Sequence, residues 1–219
     1  MSQQQKIITS EDGSHTIFVP DLDEHYHSTH GAIQESMHVF IEAGLKQIQK
    51  KEISILEFGF GTGLNAFLTS INSADKKIYY HTLEKYPIDI STANKLNYKT
   101  AFEGKYTDIF IRLHEAEWEK ETDINKNFRL LKTKCDFKNA LFNKKYDLIY
   151  FDAFAPEKQP LLWSKDIFQK TYDALNKSGI LTTYCAKGVV RRLMQEIGFK
   201  VERIPGPPGK REMIRAIKH

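Results

Sequence analysis

Two short stretches hold the residues with the most chemical meaning. The first is Ile53-Ser54-Ile55-Leu56-Glu57-Phe58-Gly59-Phe60-Gly61-Thr62-Gly63-Leu64-Asn65, an apolar strand running into three alternate glycines and then a helix start. Glycine leaves bare main chain for a ligand to lie against, and the helix start offers unpaired N–H groups and the positive end of its dipole. A nucleoside cofactor suits such a loop. Glu57, two residues before the first glycine, repels a pyrophosphate and attracts a cation, which favours S-adenosylmethionine over a dinucleotide. The second stretch is Asp152-Ala153-Phe154-Ala155-Pro156, directly after the most apolar strand of the chain. There a carboxylate can accept from an amine, the phenyl ring gives a base a flat surface, and the proline stiffens the turn. Methyl transfer to nitrogen needs a free lone pair aligned with the S–CH3 bond, and an acid that orients the amine can also take up its proton. Asp152 is therefore the candidate catalytic residue; capping of the loop is its plainer reading.

Other strand ends supply further candidates. Glu84 stands 21 positions after Gly63, where a carboxylate can accept from both ribose hydroxyls, and Lys85 follows it. Asp136 suits either an adenine amino group or a helix N-cap. Near the end, Lys210 and Arg211 follow the run Pro205-Gly206-Pro207-Pro208-Gly209 and can grip phosphates, or simply decorate a solvated turn. His25, His27 and His30 lie close together, but no Cys, Asp or Glu cluster joins them at ligand spacing, so no metal is expected.

The elements that must position these residues follow from periodicity. Strands are expected at 53–58, 78–83, 128–135, 146–151, 180–184, 200–204 and 212–217, with helices at 64–72, 87–97, 107–118, 163–175 and 189–197 and a short one ending at 142. A hairpin at 6–19, turning at Asp12-Gly13, and an amphipathic helix at 29–50 precede them. The division is an N-terminal extension over 1–50 and a main domain over 51–219, with an insertion near 98–127 whose stretch 119–127 is expected as a polar loop. Alternating strands and helices predict an α/β, Rossmann-like, doubly wound sheet, with ligands beyond the C-terminal strand ends. Two final strands without a helix between them predict an antiparallel edge strand, a feature of methyltransferases rather than of dinucleotide dehydrogenases.

The chain has 219 residues, 41% of them hydrophobic, enough for one such domain. No apolar run approaches the roughly 20 residues of a membrane span, and the start MSQQQK precedes no apolar signal core, so a cytoplasmic protein is expected. Cys135 and Cys185 are too few for a disulfide framework. Of the net charge of +4, residues 177–219 contribute ten Lys/Arg against three Glu, or +7, which leaves −3 for the rest. Such a basic end suits a polyanion.

The blocks YHSTHGAIQESMHVF, ILEFGFGTGLNAF, LEKYP, YDLIYFDAFAPEKQPLLW, VRRLMQEIGFKV and PGKREM resemble, in matching order, the methyltransferase domain of the MnmC family. The resemblance runs from about residue 26 to 217. It implies a class I S-adenosylmethionine-dependent methyltransferase acting on the wobble uridine of tRNA, position 34. Glu57, Gly59, Gly61 and Glu84 would contact the cofactor, with Gly63, Asn65 and Lys85 completing the set and Asp136 near the adenine. Asp152 and Phe154 would face 5-aminomethyl-(2-thio)uridine in the anticodon loop, alongside Pro156, Tyr26, Ser28, Lys210 and Arg211. Unlike the bifunctional members, the sequence carries no flavin-dependent oxidase domain, so a separate enzyme is expected to supply the aminomethyl substrate. A methyltransferase for a small-molecule or protein amine shares every cofactor residue and is the first rival. A NAD-linked oxidoreductase or a non-catalytic nucleotide-binding module is disfavoured by Glu57, by Asp152 with its loop and by the final strand pair.

Overall fold

The computed structural model describes residues 6–219. Its frame is an eight-stranded sheet. The strands are β4 (Glu52–Phe58), β5 (Lys77–Glu84), β6 (Thr122–Asn125), β7 (Phe128–Lys134), β8 (Tyr146–Phe151), β9 (Leu175–Thr183), β10 (Phe199–Pro205) and β11 (Glu212–Lys218). Across the sheet they run in the order β10-β11-β9-β8-β4-β5-β7-β6. The five strands from β9 to β7 are parallel, and the order reverses between β4 and β8. Both the glycine loop and Asp152 leave the sheet at that reversal, where an open α/β sheet leaves a crevice.

Side-chain alternation explains the layering. Ile53 and Ile55 of β4 and Leu148 and Tyr150 of β8 enter one apolar cluster, packed on α2 (Leu64–Asn72) and α4 (Thr107–Glu115). Leu56, Phe58, Ile149 and Phe151 enter the other, against α5 (Lys165–Ala174) and α6 (Gly188–Ile197). All six residues of β8 are buried, as a central parallel strand requires.

A small antiparallel sheet stands at the N-terminal end: β1 (Lys6–Thr9), β2 (His15–Val19) and β3 (Glu24–His25), with the expected turn at Gly13. The third strand is an addition to the expected hairpin.

The short helix expected to end at 142 forms only as the 3-10 turn Phe137–Asn139, and the structure departs from the sequence reading at four further places. The helix expected at 29–50 is broken into α1 (Ala32–Ser36), a π-turn at Met37–Glu42 and a 3-10 turn at Leu45–Gln47. At the break a Cβ on Gly44 would stand 2.5 Å from the carbonyl of Phe40, so the chain bends where only glycine fits. The helix expected at 87–97 shrinks to α3 (Ile90–Lys95), because Asp89 caps it by accepting from the Thr92 N–H at 2.7 Å. The loop expected at 119–127 contains β6, an antiparallel edge strand on β7 in which only Ile124 is buried. One buried residue in four leaves little apolar signal to read. Finally, the antiparallel last strand β11 is not at the edge; it is wedged between β9 and β10 and bonded to both, which makes β10 the edge.

Candidate functional site

A cavity of about 790 Å³ opens above the reversal in strand order. One wall is main chain. Gly59 and Gly61 both have positive φ, and a Cβ on Gly61 would stand 2.8 Å from the Tyr26 ring. The loop is anchored by its own amides. The N–H groups of Gly59 and Phe60 donate to the carbonyl of Leu83, and that of Gly61 donates to Glu84 Oε2 at 3.0 Å. Glu84 also accepts from the Tyr86 N–H at 2.8 Å, so β5 and the loop are fixed to each other by one carboxylate. Further along this wall Asp136 caps the turn Phe137–Asn139 and accepts from Lys85 Nζ at 2.9 Å. Asp136 thus acts as an N-cap, its Oδ1 accepting from the Lys138 N–H at 3.0 Å.

The opposite wall follows β8. Asp152 is tied to β4 by its N–H, which donates to the carbonyl of Phe58, and its Oδ2 accepts from Asn65 Nδ2 at 2.8 Å. Burial pushes its acid up to about 7, the Asn65 hydrogen bond pulling the other way. An acid poised there changes charge near neutrality. Phe154 lies edge-to-face on Tyr26, ring centroids 5.2 Å apart, and its carbonyl accepts from Trp163 Nε1 at 2.8 Å. Ser28 and Lys210 complete this side.

Not every expected residue lines the cavity. Gly63, Asn65 and Glu57 stand behind the wall. Gly63 begins α2 in left-handed conformation, and a Cβ on it would meet the ring of His114 at 2.8 Å. Glu57 has no exposure; its Oε2 accepts from Thr82 Oγ1 at 2.6 Å while Oε1 has no hydrogen-bond partner among the described residues. Burial pushes this carboxyl up to about 8. Asn65 Oδ1, buried beside it, also lacks a partner. Pro156 and Arg211 line a smaller hollow of about 370 Å³, which shares Ala155, Tyr184 and Lys210 with the main cavity.

His27, His25 and His30 take separate places: His27 Nε2 lies 2.8 Å from Thr62 Oγ1, His25 packs on Phe18, and His30 packs against Gly209. Burial holds His27 down at about 4, hence neutral at pH 7.

Sequence reasoning missed three residues here. Glu35 is buried in the cavity wall, bonded to Lys210 Nζ at 2.5 Å and to the Ser28 N–H at 2.9 Å. Behind the glycine loop, buried Lys132 donates to the carbonyls of Leu113 and His114 and lies over the rings of Trp118 and Phe60. His114 in turn sits 3.2 Å from the Thr62 carbonyl. Apart from Ser28, seven positions from Glu35, the partners stand 14 to 175 positions away and leave no local pattern to find.

A bare-backbone wall facing an aspartate poised near neutrality, with a second carboxylate at the next strand end, suits a nucleoside-bearing donor beside an amine. Behind that wall Glu57 Oε1 and Asn65 Oδ1, buried and without a hydrogen-bond partner among the described residues, turn acceptor dipoles toward the loop, which a sulfonium cofactor fits. Comparison with known proteins agrees. Among solved structures, MnmC2 from Aquifex aeolicus superposes with a TM-score of 0.81 at 26% identity, over 98% of this chain and 70% of that one. The tRNA 5-methylaminomethyl-2-thiouridine biosynthesis bifunctional protein MnmC of Marinomonas sp. (strain MWYL1) is 29% identical over 88% of this chain, and that of Hydrogenovibrio crunogenus 28% over 96%. The chain spans about a third of the length of these curated relatives, 31% and 33%. Over residues 81–219 it matches the family model described as S-adenosyl-L-methionine-dependent methyltransferase. To that family this chain belongs.

Proposed function

We propose that this chain methylates the amino nitrogen of 5-aminomethyl-(2-thio)uridine at wobble position 34 of tRNA, giving 5-methylaminomethyl-(2-thio)uridine. The observation that carries it is the meeting, in one cavity, of the Gly59–Gly61 wall with Asp152, Phe154 and Tyr26. The names of the relatives supply the nucleoside.

S-adenosylmethionine, when bound, supplies an electrophilic methyl carbon on sulfur. Gly59 and Gly61 would cradle it, Glu84 would accept from its ribose, and the Asp136–Lys85 pair would border its adenine. Glu57 and Asn65 would act from behind the wall, by their dipoles rather than by contact. On the acceptor side the amine arrives protonated for the most part. Asp152 would accept a hydrogen bond from the amine and take up its proton, directly or through water, leaving the nitrogen lone pair free to face the methyl carbon that the bound cofactor would supply. An acid near 7 serves both steps, being ionised often enough to accept and basic enough to hold the proton. Tyr26 and Phe154 offer the uracil ring a stacking surface, worth roughly 1–3 kcal/mol per base. Because the wobble base is already single-stranded, presenting it avoids most of the expense of flipping. Lys210, Arg211, Ser28 and Pro156 would meet the flanking nucleotides, and a separate enzyme would supply the aminomethyl group. Of the N-terminal extension over 1–50, the described residues from 6 onward then close the acceptor side of the main domain, 51–219.

Incubation with labelled S-adenosylmethionine and tRNA carrying 5-aminomethyl-2-thiouridine, followed by digestion, tests the assignment. Label should appear in 5-methylaminomethyl-2-thiouridine. Label in another nucleoside, or efficient transfer only to a small amine or a protein, overturns it.

A further inference from the structure

Glu35, on α1, is buried in the wall of the cavity that holds Asp152. Its oxygens reach two distant segments, Lys210 in the β10–β11 turn and the main chain of Ser28. Lys210 also lies over the ring of Tyr184, 4.1 Å from its centroid, and the Tyr184 hydroxyl donates to the carbonyl of Ala153, next to Asp152. Two more contacts bring the same partners together. His38 Nε2 lies 2.8 Å from the Pro205 carbonyl, and a Cβ on Gly209 would stand 2.5 Å from the His30 ring. Glu35 keeps only 11% of its side-chain surface exposed, against 35% for Lys210, and burying that carboxylate carries a desolvation penalty that an apolar residue of similar volume avoids, so packing alone does not account for the pair.

We propose that the Glu35–Lys210 pair is a positioning device for the acceptor: it clasps the β10–β11 turn to the N-terminal segment and sets the field in which Asp152 receives an amine. The proposal rests on the methyl-transfer reading of the cavity. The groups that face Asp152 are Glu57 and Tyr80 from the strands beneath, Asn65 from α2, Tyr184 after β9, and the two members of the pair. Glu35 favours the protonated form of Asp152 and Lys210 the ionised form. His27, in the same wall, feels the same two charges with the same signs. The pair thus balances the charge at the acid, and loss of either partner tips it.

Carbon-13 NMR of the full chain labelled at aspartate carboxyls reads this without any ligand, the Asp152 resonance being assigned by its loss in Asp152→Asn. Glu35→Gln should move the Asp152 midpoint to lower pH and Lys210→Met to higher pH, each by about half a unit or more, while Lys210→Arg keeps it near the wild-type value. Should Glu35→Gln fail to fold, the contrast between Lys210→Met and Lys210→Arg carries the same test. Midpoints unmoved in the folded variants, or moved in the same direction by Glu35→Gln and Lys210→Met, overturn the proposal. Since no acceptor is present, that failure is separate from a failure to methylate tRNA.

Discussion

A Cβ placed on Gly59 would stand 2.7 Å from the main-chain oxygen of Asp152. The glycine loop and the acid at the neighbouring strand end therefore touch backbone to backbone, and Asp152 returns the contact through its N–H to Phe58. The two walls of the cavity share one joint. Gly59→Ala meets both a closed space and φ +97°, so thermal unfolding should reveal a loss of about 1–3 kcal/mol. Cofactor affinity should fall with it, and a variant of unchanged stability would contradict the close contact.

Asp152→Ala should lower turnover by about 10²-fold or more while leaving cofactor affinity nearly unchanged, by stopped-flow and calorimetry respectively. The wild-type rate should climb with pH through about 7, where Asp152 ionises, and the variant should lose that limb. Equal pH profiles for the two would remove Asp152 as the proton acceptor.

Glu84→Ala should do the reverse. It deletes the acceptor at the ribose position and frees the Gly61 and Tyr86 amides it holds. Cofactor binding should weaken about 10-fold or more, the scale of a lost hydrogen bond to a charged group, with turnover at saturating cofactor little changed. Isothermal titration decides the first part and kinetics the second.

Stability should fall between about pH 6.5 and 8 in the ligand-free protein. Folded Glu57 keeps its proton up to about 8, whereas the unfolded carboxyl releases it near 4.3, so the folded state holds the extra proton in that window and loses advantage as pH rises. His27, His81 and His114, all held down at about 4 by burial, act oppositely but only below about 6.5. Lys132, lowered to about 8, begins to act above that window. Asp152, raised to about 7, adds to the decline up to that value, and above it the one proton of Glu57 limits the slope to about 1.4 kcal/mol per pH unit. Glu57→Gln should remove much of the decline in denaturant titrations; an unaltered slope would assign it elsewhere.

Most of the parallel sheet was legible because its strands are short apolar runs between helical periods, as in 53–58 and 146–151. The edge strand Thr122–Asn125 was not, since its pairing comes from β7 and not from its own side chains. Asp152 could be read from its place after a buried strand. The sealing of Glu57 could not, because it depends on Thr82 across the sheet and on α2 above it. Glu35 escaped for the same cause: its partner is 175 residues away.

Because β11 is inserted antiparallel between β9 and β10, the turn joining the last two strands emerges at the same end of the sheet as Asp152. The acceptor side proposed above thereby takes residues 26–35 and Lys210 from outlying pieces of the chain, beside Asp152 and Phe154, while the glycine wall comes from residues 59–61. Choice of recipient can drift by changes in those outlying pieces without disturbing the methyl-donor grip, and a designer seeking a new recipient would start there.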